Sequence, residues 1–151
     1  MKTVREIIGD REAYAVSPEM TVHEVVAYLC ERKIGAVAVC TSGRKAVGVF
    51  SERDLLRRVV SEERDPRTTL VSEVMSEEVV SVKVDEPHHV ARNLMLGKNF
   101  RHLAVVNAAG MYQGFVSMRE LMDVDLEESR GLVQKLNDDY YEEQFNPDAQ
   151  S

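Results

Sequence analysis

The stretch Gly48-Val49-Phe50-Ser51-Glu52-Arg53-Asp54-Leu55 reappears, in altered form, as Gly114-Phe115-Val116-Ser117-Met118-Arg119-Glu120-Leu121, 66 positions later. The match extends outward from it without gaps. Val16 meets Val82, His23 meets His89, and Ala38-Val39 meets Ala104-Val105. With a one-residue gap, Val4-Arg5-Glu6-Ile7-Ile8 also aligns with Val71-Ser72-Glu73-Val74-Met75. An internal repeat is stronger evidence about architecture than local propensity. Here the unit is about 60 residues long and occurs twice.

Both copies read as β-α-β-β-α. A short extended piece comes first, Tyr14-Ala15-Val16 or Val79-Val80-Ser81-Val82. Thr21 and Glu24 then form a capping box, followed by Val22, Val25, Val26 and Leu29 at helical spacing. In the second copy Pro87 suits the first helical turn, and Val90, Ala91, Leu94 and Met95 continue the stripe. Two strands follow, Ala36–Cys40 and Ala46–Phe50, or Leu103–Val106 and Tyr112–Val116, each pair joined by a turn. A last helix opens at Ser51 or Ser117 and carries Leu55, Leu56, Val59 and Val60, or Leu121 and Met122. One unit alone cannot cover both faces of a three-stranded sheet. Two units packed sheet to sheet can. The fold expected is α/β (α+β), with two repeats related by a pseudo-two-fold axis. The repeats are placed at 1–60 and 71–125. A polar, solvated linker is expected at 61–70 and an acidic helix and tail at 126–151, the helix interrupted by Gly131 and docked on the body or on a partner subunit to about Tyr141, the tail disordered from Asn146 onward.

The 151 residues include 19 Lys and Arg against 26 Asp and Glu, a formal charge of −7. Residues 123–151 hold nine of those acids and two of the bases, which leaves 17 of each in the body. A neutral body with an acidic tail argues against a duplex nucleic-acid binder. No apolar run approaches the roughly 20 residues of a membrane span, and Met1–Glu6 lacks the apolar stretch of a secretory signal. Cys30 and Cys40 sit among apolar neighbours and read as buried, reduced thiols of a cytoplasmic protein.

Four pieces carry a resemblance: Val4–Ile8, Gly48–Leu55, Val74–Val82, and Phe100–Val106 with Gly114–Glu120. Together they resemble the paired cystathionine-β-synthase (CBS) domain, or Bateman module, over about residues 4–123. The likeness is to the small stand-alone prokaryotic type. Gly48–Leu55 is similar to that family's Gly-h-x-Ser/Thr-x-x-Asp signature. The resemblance implies a regulatory sensor that binds an adenosine nucleotide. AMP comes first, with ATP, NAD(H) or S-adenosylmethionine as other ligands. It also implies apolar and backbone contacts to adenine from Val16, Ile34, Gly35 and Ala36, with Val82 as the second-copy counterpart of Val16. Signalling would reach a protein partner that the sequence does not name. The rival reading is a dimerisation scaffold with vacant crevices.

The residues have their own chemistry. A helix starting at Ser51 offers backbone N–H groups and a dipole to an anion. The Ser51 hydroxyl can donate to phosphate, Arg53 supplies a cation, and Asp54 can accept both ribose hydroxyls. Gly48 leaves room for close approach. The same Ser-x-x-Asp is also an ordinary helix cap. Thr21 reads equally as a cap or a phosphate contact. The second site, with Gly114, Ser117 and Arg119, has Glu120 in place of the aspartate and Pro87 in place of Thr21. The longer carboxylate puts diol recognition there in question, while Arg101 and His102 add a cation and an imidazole. The first site is therefore expected to bind more tightly. A metal site would want His23, His88 and His89 clustered with Cys or carboxylate at ligand spacing, and adjacent His88 and His89 point in different directions on a helix, so these histidines read as solvated or partly buried and no metal is expected. Met111, Met118 and Met122 read as core filling. No catalytic constellation is present, so no enzyme is expected. Apolar Leu55, Leu56, Val59, Leu121 and Met122 would be wet in a monomer and point to a homodimer.

Overall fold

The structure, a computed structural model, describes residues 2–98, 100 and 102–145. Two three-stranded sheets form its centre. The first orders β1 (Ala15–Val16), β2 (Ala36–Thr41) and β3 (Lys45–Ser51); the second orders β4 (Ser81–Lys83), β5 (His102–Val106) and β6 (Tyr112–Ser117). In each, the first strand runs parallel to the middle one and the third antiparallel. The repeat holds to the single residue. Val39 faces Gly48 and Val105 faces Gly114, and each pair is followed by an irregularity in register.

Alternation along the strands sorts the side chains by size. Val37 and Val39 point toward α2 (Val22–Arg32), and Leu103 and Val105 toward α5 (His88–Lys98). Ala38 and Cys40 point the other way and meet Ala104 and Tyr112 in one buried cluster between the sheets. The small Ala38 and Ala104 on that face let two pleated layers approach beside Tyr112. Burial pushes the Tyr112 hydroxyl well above the ordinary tyrosine range and raises the Cys40 thiol, so both stay protonated. Cys30, expected to be buried, is exposed on α2.

The leading helices are exchanged. Val4 and Ile8 of α1 (Val4–Ile8) are buried in the core of the second repeat, with Met95, Leu103 and Leu121. Val71 and Val74 of α4 (Val71–Val74) are buried in the core of the first, with Val22, Phe50 and Val59. Backbone bonds hold both arrangements: Val4 N–H to Glu86 O at 2.9 Å, and Val71 N–H to Met20 O at 2.8 Å. The 61–70 segment is thus more than a solvated connection. Its Pro66 and Thr69 carbonyls accept from the His23 and Val22 N–H groups at 2.8 and 2.9 Å. First-turn N–H groups have no partner within their own helix, and this segment supplies one.

Other expectations change as well. The helix after Ser51 is α-helical over Glu52–Asp54 (α3) and π-helical over Leu55–Val60. Its wider turn buries Val59 and leaves Leu56 and Val60 exposed. Leu121 is likewise buried and Met122 exposed, so Val59 and Leu121 belong to the interior and Met122 is not core filling. The final helix, α6 (Met118–Phe145), runs straight through Gly131. It is packed to Asp125 and exposed from Leu126 through Glu142, so the arm is not docked on the body. The stretch from Asn146 lies outside the described residues. His88, read as solvated or partly buried, is buried.

Gly48 has a packing role. The stretch after α4 pairs with β3 through Val49 and Ser76, and the Met75 side chain crosses Gly48. A Cβ at Gly48 would lie 2.8 Å from Met75 Cγ. Gly48→Ala should therefore cost about 1–3 kcal/mol by overpacking. A chemical-denaturation cycle with Met75→Ala should return a coupling of about 0.5–3 kcal/mol. Gly48→Ala as stable as the parent chain would refute the close approach.

Candidate functional site

A cavity of about 580 Å³ opens between the repeats. One wall is the β3–α3 junction, with Val49, Ser51, Glu52, Arg53 and Asp54, backed by Gly35, Ala36 and Arg58. The other comes from the second repeat: Ser76, Glu78, Val80, Phe100, His102, Ala104 and Phe115. The volume falls in the range of small-molecule sites, roughly 300–1,000 Å³. A smaller cavity nearby is lined by Ile34, Gly35, Glu52 and Leu55, among others.

At the junction the Ser51 hydroxyl accepts from Asp54 N–H, while Asp54 Oδ2 accepts from Ser51 N–H at 3.0 Å and Ser51 Oγ at 3.2 Å. The cap reading of Ser-x-x-Asp is therefore realised. Two of the first-turn N–H groups expected to face an anion are already used, since Asp54 N–H goes to Ser51 and Glu52 N–H to Gly35 O at 3.0 Å. Anion attraction then rests mainly on side chains. Arg53 is exposed on the cavity wall. Arg58 donates to the Met75 carbonyl at 2.7 Å and lies 3.6 Å from Asp54 Oδ1. Three carboxylates, Glu52, Asp54 and Glu78, line the same space. Phe100 and Phe115 contribute flat apolar surface, and the His102 ring meets Phe115 edge-on at 6.1 Å between centroids.

Of the residues singled out in the sequence, Gly35, Ala36, Ser51, Arg53, Asp54 and His102 come together here. Ile34 lines the smaller cavity. Val16 and Val82 are buried in the two helix-side cores rather than in the cavity wall. Thr21 caps α2, its Oγ1 accepting from Glu24 N–H at 3.2 Å. Gly48 faces Met75. Gly114, Ser117, Arg119 and Glu120 line neither cavity, and Arg101 lies outside the described residues. The sequence reading missed the far wall, Val80, Phe100, Ala104 and Phe115, as well as Arg58. The pseudo-two-fold relation was the available signal, because it sets the start of β5 opposite the start of α3.

The second signature is closed by the chain itself. Ser117 and Glu120 form the same cap, with both Ser117 N–H and Oγ 3.2 Å from Glu120 Oε1. The extra methylene does not carry the carboxylate out of reach. Arg11 then takes the other oxygen, Oε2, at 2.5 Å while also donating to the Ile8 and Ile7 carbonyls. Burial by itself would raise the Glu120 pKa. The hydrogen bonds from Arg11 and Ser117 and the Arg11 charge outweigh it and hold the carboxyl below its ordinary value of 4.5.

A family model described as the CBS domain matches residues 4–61 and again 71–127. An uncharacterized protein of Methanopyrus kandleri is 30% identical over 118 residues, which span 78% of this chain and 60% of that protein. The chain thus covers less than two thirds of that relative's length. Among solved structures, a CBS-domain containing protein from Agrobacterium tumefaciens aligns with a TM-score of 0.71 at 26% identity, over 82% of this chain and 99% of that one. A CBS domain protein from Pyrobaculum aerophilum, solved in complex with AMP, aligns with a TM-score of 0.72 at 27% identity, over 79% and 89%.

A depressed carboxyl pKa adds stability that is present above the unfolded value and lost as pH falls through the folded one. Glu120→Gln should therefore cost about 0.5–1 kcal/mol near neutral pH, the scale of a partly exposed ion pair. The difference from the parent chain should narrow as pH drops below 4.5. Urea melts across pH test this, and a difference that widens in acid would refute it.

Proposed function

Since the chain belongs to the CBS domain family and carries the repeat twice, we propose that it is a regulatory module binding an adenosine nucleotide, AMP first, between its two sheets. The observation that carries this reading is the inter-repeat cavity, in which Ser51, Arg53 and Asp54 face Phe100 and Phe115. Phe100, Phe115, Val80 and Ala36 offer the apolar slot a purine needs. Asp54 accepts the ribose hydroxyls, and Arg53 and Arg58 lie at hand for phosphate. The Pyrobaculum relative's complex with AMP supports the ligand class. The closed Glu120–Arg11 contact favours the first site over the second.

Binding shifts a partner only through its differential affinity for two arrangements of the module. The exposed apolar residues of the α6 arm, Leu132, Val133, Leu136 and Tyr140, are the surface offered to that partner. Leu56, Val60 and Met122 are offered to a second copy in a homodimer. Among the described residues no helix is long and apolar enough to cross a membrane.

One observation favours the scaffold reading. Ser51 and Asp54 already satisfy each other, and three carboxylates line the cavity. A thermal melt decides between the two. AMP at about 100 times its Kd should add roughly 2.7 kcal/mol to stability, whereas no shift with AMP would leave the scaffold. Asp54→Ala should weaken AMP by roughly 5- to 150-fold, since ribose hydroxyls lose their acceptor. Glu120→Ala should leave affinity unchanged. The reverse pattern in calorimetry would move the site to the second signature.

A further inference from the structure

His88 opens α5, and both of its ring nitrogens meet oxygens. Nδ1 lies 3.0 Å from the Lys2 carbonyl, and Nε2 lies 3.1 Å from Asp125 Oδ1 and 3.5 Å from Glu128 Oε2. A carbonyl only accepts, so Nδ1 carries the hydrogen. The neutral ring then aims its Nε2 lone pair at two carboxylates. That arrangement requires a cation between them, either a proton or a metal ion.

Three features favour a metal ion. The three donor atoms lie within 4.8 Å of one another. Ligand atoms each about 2.0–2.2 Å from a shared tetrahedral zinc-like ion lie roughly 3.3–3.6 Å apart, close to the 3.1 and 3.5 Å that separate His88 Nε2 from the two carboxylates. The outer contacts are those of a metal histidine, with Nδ1–H held by a backbone carbonyl and Arg92 Nη1 fixing the other Asp125 oxygen at 2.9 Å. The third feature is the repeat itself. At the same offset of 66, the first copy has Val22, Val26 and Val59 where the second has His88, Arg92 and Asp125. Those valines pack in an apolar core. His88 itself is buried where the first copy has Val22, and a buried polar side chain is generally no more stabilising than an apolar one of similar size, so packing alone does not account for it.

We propose that His88, Asp125 and Glu128 form a binding site for a divalent transition-metal ion of the zinc class. One neutral imidazole and two carboxylates balance its charge. The His88 side chain is 3% exposed, while Asp125 and Glu128 are 30% and 44% exposed and give the ion its way in. The site shares no residue with the inter-repeat cavity. It lies where α6 leaves the body, so a bound ion ties the base of the exposed arm to α5 and, through Lys2, to the segment before α1.

The test is calorimetric titration of the untagged full-length chain with Zn²⁺, beside Co²⁺ absorption spectra and thermal melts. One ion per chain, a raised midpoint and ligand-field bands with Co²⁺ are expected. Asp125→Asn and Glu128→Gln, both at partly exposed positions, should abolish or sharply weaken binding. Arg92→Gln should weaken it roughly 10- to 100-fold. His23→Ala and Cys30→Ser should leave it unchanged. Should His88→Gln fail to fold, the two carboxylate variants still decide. No binding by the parent chain, or equal binding by Asp125→Asn and Glu128→Gln, overturns the proposal and leaves a proton as the bridging cation.

Discussion

The two sheets meet at a pair of methyl side chains, Ala38 on β2 and Ala104 on β5, both buried, with Cys40 and Tyr112 beside them. Nearly everything else is arranged around that contact. The larger neighbours on the same strands turn outward to the helices, which gives each repeat its own core. The seam is not symmetric, however. Tyr112 stands at the position where the first repeat has Ala46, and Phe115 where it has Val49. Ala104 and Phe115 belong both to the seam and to the cavity wall. The cavity therefore begins where close packing of the sheets ends.

Exchange of the leading helices makes the halves interdependent. Neither repeat completes its core without α1 or α4 from the other. The crossing at α4 also builds the cavity. Val49 and Ser76 exchange backbone bonds at 2.9 and 2.8 Å, which brings Ser76 and the chain leading to Val80 to the wall opposite Asp54. Arg58 ties the same crossing to the π-helical segment through the Met75 carbonyl. Anything that moves Asp54 or Arg58 thus pulls on a helix that belongs, in sequence, to the other repeat.

The strands, the helix caps and the double repeat were legible because they rest on local chemistry. Thr21 with Glu24 and Ser51 with Asp54 are caps read at a spacing of three, and both form. Helix exchange was not legible. Val4–Ile8 and Val71–Met75 align with each other, but nothing in that match says which core each enters. The π turn was missed because Leu55, Leu56, Val59 and Val60 fit an ordinary helical stripe equally well. Contacts such as Arg11 with Glu120 and His88 with Asp125 join residues 109 and 37 positions apart. Spacing rules for ligands and triads do not reach that far. The far wall of the cavity lay beyond reach for the same reason.

A duplicated fold provides its own control, because two copies of one backbone bear different side chains at equivalent places. At the signature the copies differ by a methylene, Asp54 against Glu120, yet both form the same cap. The methylene therefore does not separate the sites. Arg11 does, by occupying the free oxygen of Glu120 and capping α1 in the same gesture. At the helix pair the copies differ in kind. Val22 against Val59 is a dry contact that needs nothing, whereas His88 against Asp125 and Glu128 holds an imidazole between a carbonyl and two carboxylates. Polar side chains in a buried place must be satisfied by charge or hydrogen bonds, and a valine pair is free of that constraint. The two differences lie on opposite sides of the same division. The first repeat keeps its signature open to the cavity and its helix contact inert. The second closes its signature and places its polar chemistry at the base of α6, where a change in bonding acts on the arm.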